Sequence, residues 1–224
     1  DEPVLIARRC GCPLVVAPKR ADAVRLLEQS GEVDIIITDD GLQHYALARD
    51  IELVVVDGAR RFGNGCLLPM GPLREPMTRL KRVDAIICNG GTPAQGEYPM
   101  ALVAAAPRRV CDDAPLEAPL TGPVDALAGI GHPPRFFATL TGLGYELAES
   151  VGYADHQAFD RDELLARFGQ RPLLMTEKDA VKCRAFAPPH WWYLPVSAEL
   201  PASLLDALLQ RLTPPQASDP DHAH

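Results

Sequence analysis

Short runs that are apolar at every position alternate along this chain with stretches whose apolar residues recur every three or four positions. The first pattern belongs to buried strands and the second to helices lying on a sheet. Leu14-Val15-Val16 reads as a strand, Ala21 to Gln29 as a helix stopped near Gly31, and Asp34-Ile35-Ile36-Ile37-Thr38 as a strand of the kind that parallel sheets bury on both faces. Leu53 to Val56 and Ala85 to Cys88 are further strands, with a helical stretch from Thr78 to Arg82 between them. After residues 105–123, where Pro, Ala and Asp blur the rhythm and mark a junction, the alternation resumes. Val124 to Ile130, Tyr145 to Ser150, Leu173 to Thr176 and Trp192 to Leu194 read as strands; Pro134 to Leu143, Arg161 to Phe168, the stretch through Val181 and Ala202 to Leu212 read as helices. Thr213 to His224 lacks an apolar face and reads as a frayed tail. The rhythm predicts an α/β protein of two lobes with a cleft, in which ligands bind beyond the carboxyl ends of the strands.

Composition narrows the function classes. The chain of 224 residues is 47% hydrophobic and 23% charged, enough for a real core, and its formal net charge of -8 opposes nucleic-acid binding and electrostatic docking on anionic lipid. Cys10, Cys12, Cys66, Cys88, Cys111 and Cys183 lack zinc-site spacing and disulfide-scaffold density, and read as reduced cytosolic thiols. No run reaches the roughly 18 apolar residues of a membrane-spanning helix, and no secretory leader is recognisable, so the chain is expected to be soluble. It opens on Asp1-Glu2-Pro3 with no Met at position 1, which raises the expectation of a fragment.

Candidate chemistry gathers where strands are expected to end. Asp39-Asp40-Gly41-Leu42-Gln43-His44 follows the β-branched run. A carboxylate leaving a sheet there holds magnesium in Walker B fashion; the alternative is a solvated turn in which Asp39 caps a helix. Phe62 to Pro76 is a loop punctuated by Gly and Pro that carries Arg74, suited to phosphate oxygens, and Glu75, suited to magnesium, or else a surface ion pair. Asp155-His156 offers an imidazole beside a carboxylate for proton transfer, or a structural histidine. In Thr176-Glu177-Lys178-Asp179, Lys178 either reaches a phosphate or sits on a solvated helix start. Gly129-Ile130-Gly131-His132 lacks the third glycine of a dinucleotide fingerprint, and no G-x-x-x-x-G-K-[ST] occurs in the chain.

Taken in order, Asp1-Glu2-Pro3, Thr38 to His44, Arg49-Asp50, Val56-Asp57-Gly58, Phe62-Gly63-Asn64-Gly65, Gly71 to Pro76, Gly129-Ile130-Gly131, Asp155-His156 and Met175 to Lys182 closely resemble the tetraacyldisaccharide 4'-kinases, almost end to end. The resemblance implies an α/β fold of two α/β/α lobes of P-loop kinase type with largely parallel sheets, the first lobe truncated at its N-terminus. It implies residues 1–108 as the remainder of the nucleotide-binding lobe, 109–123 as a linker, 124–212 as a C-terminal lobe and 213–224 as a tail. The implied activity is transfer of the ATP γ-phosphate, with Mg2+, to the 4'-hydroxyl of tetraacyldisaccharide 1-phosphate, giving lipid IVA. By motif, Asp1 matches the catalytic base and His156 its partner. Asp39, Asp40 and Glu75 match metal positions, and Asp39, Asp40, His44, Arg74 and Glu75 match positions around metal and phosphate. The resemblance also implies a cytoplasmic protein peripheral to the inner membrane, a membrane-embedded acyl disaccharide as partner, membrane contact mainly through a preceding segment, and a phosphate-binding loop encoded upstream of Asp1. Without that loop the 224 residues alone are expected to be inactive; a non-catalytic module binding acyl disaccharide or a partner is the alternative.

Overall fold

A strand that is apolar at every position can be buried only when both faces of its sheet are covered. The computed structural model describes residues 2–212 and shows this arrangement in one of two sheets. In chain order the elements are α1 (Glu2–Cys10), α2 (Arg20–Ser30), β1 (Leu53–Asp57), a 3-10 turn (Met77–Arg82), β2 (Ala85–Asn89), β3 (Tyr98–Ala104) and β4 (Arg108–Arg109). They continue with β5 (Val124–Ala128), α3 (Pro133–Gly142), β6 (Leu147–Gly152), α4 (Arg161–Arg167), β7 (Leu173–Thr176), α5 (Glu177–Cys183), β8 (Trp191–Leu194), β9 (Val196–Glu199) and α6 (Ala202–Leu212). The protein is α/β with largely parallel sheets: β1 pairs β2, β2 pairs β3, β5 pairs both β6 and β7, and β7 pairs β8, all parallel, while β4 runs antiparallel to β8.

The chain divides into two compact units, one holding the described residues up to Leu47 together with Ala104–Ser197, the other Ala48–Val103 together with the residues from Ala198. In the first unit the five-stranded order is β4-β8-β7-β5-β6. Neighbouring positions of its strands bury toward opposite faces. Leu127, Leu173, Met175, Trp191 and Tyr193 pack with Leu164 of α4, Phe168, and Ala180 and Cys183 of α5. Val124, Ala126, Ala128, Leu174, Trp192 and Leu194 pack on the other side with Phe136 and Leu140 of α3. The second unit has the order β1-β2-β3-β9, with Ala85 and Ile87 of β2 against Leu204 of α6.

Two expected strands are not formed. Leu14 to Val16 and Asp34 to Thr38 have no ladder partner among the described residues, and Ile35 and Ile37 are 54% and 91% exposed. A strand is a relation between segments, and β-branched composition alone supplies no neighbour for its N–H and C=O groups. The division into units also follows a different line from the expected 1–108 and 124–212, because the N-terminal residues gather with the five-stranded sheet, where α1 lies against α5. α1 carries Glu2 in its first turn and Arg8 and Arg9 in its last, which complements the helix dipole. The expected tail from Thr213 lies outside the described residues.

Candidate active site

The parallel strands of the first unit end their carboxyl termini on one edge of the sheet, and the order of connections reverses there. From β5 the chain crosses through α3 to β6 on one side; β7 lies on the other side and leads through α5 to β8. Such a reversal opens a crevice beyond the strand ends. Here the loop after β5 and the loop after β7 are tied together. The carboxylate of Asp179, fully buried, accepts the Gly129 N–H at 2.8 Å and the Thr176 hydroxyl at 2.6 Å, while the Thr176 Oγ1 accepts the Asp179 N–H at 3.2 Å. Thr176 is thereby the N-cap of α5. Gly129 is required by this approach, since a Cβ on it would stand 2.8 Å from Asp179 Oδ1.

Beside this lock, β6 runs out into Asp155-His156. The Lys178 ammonium stands 2.8 Å from Asp155 Oδ1 and 2.5 Å from Glu2 Oε1. Hydrogen bonding to Lys178 holds the carboxyls of both Glu2 and Asp155 below the ordinary range. Partial burial pushes the lysine downward, but its hydrogen bonds to Asp155 and Glu2 outweigh this and leave it above its ordinary value. The His156 Nε2 is 3.8 Å from Asp155 Oδ2 and 3.9 Å from Glu2 Oε1, within reach of charge but longer than hydrogen bonds. His156 is exposed, and its backbone adopts φ 61°, a conformation uncommon for a residue with a side chain. The next basic side chain along the edge, Lys182, donates to the Gln157 carbonyl at 3.1 Å and lies over the Phe159 ring. Buried Cys183 is no nucleophile here: burial drives its thiol up to about 12.

The other expected residues fall as follows. Asp1 lies outside the described residues, but its neighbour Glu2 opens α1 next to His156. Asp39 and Asp40 are exposed and occupy a turn, which corrects the expected strand-end placement, because the run before them is not a strand. Asp40 has φ 47°, the Asp39 carbonyl accepts Arg20 Nη2 at 3.0 Å, and the His44 N–H closes the turn on the Gly41 carbonyl at 3.0 Å. In the second unit Arg74 is exposed, and Glu75 pairs with Arg79 Nε at 3.3 Å. Arg79 also donates to Glu52 at 2.6 and 2.8 Å, and Arg49 pairs with Glu52 at 2.7 Å. Glu52 is held below the ordinary carboxylate range first by Arg79. Among the described residues no three His, Cys, Asp or Glu side chains converge as a metal cluster.

A sequence profile described as LpxK, tetraacyldisaccharide-1-P 4'-kinase, matches residues 1–213. The chain belongs to that family. Curated relatives named tetraacyldisaccharide 4'-kinase occur in Aeromonas hydrophila subsp. hydrophila and Aeromonas salmonicida, each 84% identical over 212 residues, and in Tolumonas auensis, 59% identical over the same length. Each match covers 95% of this chain and 64% of the relative, so the chain spans less than two thirds of their length. A crystal structure of LpxK from Aquifex aeolicus in complex with ATP shares the fold at a TM-score of 0.58 and 21% identity, covering 78% of this chain and 56% of that one.

Within this LpxK family chain the contact between Glu2 and Lys178 was not legible from motifs alone. One signal was available. A lysine in the first turn of a helix faces the positive end of the dipole, so Lys178, between Glu177 and Asp179, marks a place where carboxylates from elsewhere must offset the cost.

Proposed function

We propose that this chain is part of an ATP-dependent kinase that phosphorylates the 4'-hydroxyl of tetraacyldisaccharide 1-phosphate in lipid A biosynthesis, giving lipid IVA. The observation that carries the reading is the family match over residues 1–213, and the carboxylate–imidazole–ammonium cluster at the reversal edge supports it. In this reading Asp1 takes the proton of the sugar hydroxyl and His156 orients and charges it. The sugar oxygen bonds to the γ-phosphorus as the bond to the bridging β,γ-oxygen breaks and ADP leaves. Phosphoryl transfer of this kind is mainly positioning and charge stabilisation, which suits a site built of ionic groups on rigid strand ends.

Asp39 and Asp40 fit magnesium: they are hard oxygen donors, exposed, and neither side chain is tied to a cation among the described residues. They are proposed to hold the ion, which would supply neutralisation of phosphate charge, and Glu75 is proposed as a metal position by its motif alone. His44 and Arg74 are proposed to face the nucleotide phosphates, Arg74 through its planar fork. No helix of the described residues is long and apolar enough to cross a membrane. Access to an acylated acceptor is proposed to occur with the protein peripheral to the cytoplasmic side of the inner membrane, through a segment of the longer protein.

The test uses a protein carrying this sequence at the length of its curated relatives, incubated with ATP, Mg2+ and tetraacyldisaccharide 1-phosphate. Expected is a product heavier by one phosphate, formed with stoichiometric ADP, and a His156→Ala variant slower by about 10²- to 10⁴-fold. An acceptor recovered unmodified sinks the reading.

A further inference from the structure

We propose that Lys178 is a positioning residue for this reaction, clamping Asp155, which holds the backbone of His156, together with Glu2 at the start of α1, so that the imidazole is held in place at the site. The inference rests on the kinase reading above.

The geometry is specific. Asp155 Oδ1 accepts twice, from the Lys178 ammonium at 2.8 Å and from the His156 N–H at 3.1 Å. The second bond belongs to the left-handed backbone at His156, φ 61°, a conformation that persists only where its surroundings hold it. Lys178 therefore fixes the carboxylate that fixes the histidine. The same ammonium lies 2.5 Å from Glu2 Oε1 at the start of α1. The far end of α1 is held by the residue beside it: Arg9 Nε reaches Glu177 Oε1 at 2.9 Å, and Arg9 Nη1 donates to the Val196 carbonyl at 2.7 Å. Adjacent residues in the first turn of α5 thus hold both ends of α1.

The lysine side chain is 16% exposed while Glu2 and Asp155 are 39% and 42% exposed, so the ammonium is sheltered but its carboxylate partners are screened by solvent. Without the ammonium, Glu2 and Asp155 would be like charges on either side of the imidazole, and each would relax away from the other. Among the described residues the near acceptors of Lys178 are protein carboxylates, which favours the clamp over the phosphate contact its motif also allowed.

In the protein at full relative length, Lys178→Met is expected to lower kcat by about 10- to 100-fold with KM for ATP and for the acceptor within about twofold. The acid limb of the kcat profile should move to higher pH, since a cation favouring ionised carboxylates is gone. Lys178→Arg should recover kcat to within about fivefold, and hydrogen exchange of the α1 amides should quicken in Lys178→Met alone. An active parent whose Lys178→Met variant keeps its kcat and pH profile overturns the proposal, as does a loss that Lys178→Arg leaves unrepaired while the acid limb stays put. Unchanged exchange in α1 overturns the clamp itself. A parent that transfers no phosphate, with α1 still loosened in Lys178→Met, overturns the kinase reading and leaves the clamp as a structural contact only.

Discussion

The two sheets are both largely parallel, yet they are held together differently. In the five-stranded sheet β5, β7 and β8 are buried on both sides, by α4 and α5 on one and α3 on the other. In the four-stranded sheet β1 buries Val56 but leaves Leu53 and Val55 42% and 57% exposed. The same unit carries ion pairs: Arg61 grips Glu97 through two hydrogen bonds of 2.6 and 2.8 Å, and Arg79 with Arg49 encloses Glu52. Apolar runs of similar composition therefore end in different environments, one sealed on both faces and one left partly open.

Substitutions in the two sheets should differ in cost accordingly. Leu127→Ala empties a fully buried position of the sealed sheet and is expected to cost about 2–5 kcal/mol. Both tryptophans, Trp191 and Trp192, lie in that sheet, so denaturation followed by tryptophan emission reads it directly. A cost below about 1 kcal/mol would mean that this sheet is not the tightly packed one. Next comes Glu97→Gln, expected to lower stability near neutral pH by less than Leu127→Ala does, because Arg61 is left with a weaker acceptor and solvent screens part of the loss. Arg61 hydrogen bonding holds the Glu97 carboxyl down to about 2, against an ordinary 4.5. A depressed carboxyl contributes fully above 4.5 and loses its contribution as pH falls toward 2, so the variant should flatten the stability slope across that window. Hydrogen exchange in β2, measured at several pH values, checks it. Smallest is Val55→Thr at the exposed face, expected to stay within about 0.5 kcal/mol of the parent in chemical denaturation.

Much of this was legible in the sequence, and the failures are physical. Leu53 to Val56, Ala85 to Cys88, Leu173 to Thr176 and Trp192 to Leu194 are strands as their composition indicates, and Gly31, at φ 67°, ends α2 where expected. Asp34 to Thr38 is as β-branched as any of them and is no strand, because apolar content reports a capacity for burial and not the presence of a partner. β3 does not stand out in the sequence because Pro99 interrupts its pattern, although Pro99 is in register with Cys88 across the ladder. At the site, Asp155 and His156 were readable as a local pair. Their link through Lys178 to Glu2 joins residues far apart in the chain, and only the placement of α1 and α5 beside the end of β6 brings those groups together.

The side-to-side alternation in β8 has a consequence for how this region can change over evolutionary time. Trp191 belongs to one core and Trp192 to the other, so gaining or losing a single residue within the strand would exchange the two indoles and invert every contact beyond them. Length variation among related chains should therefore collect in connections such as residues 111–123, and drift in β8 should proceed by like-for-like replacement at constant spacing.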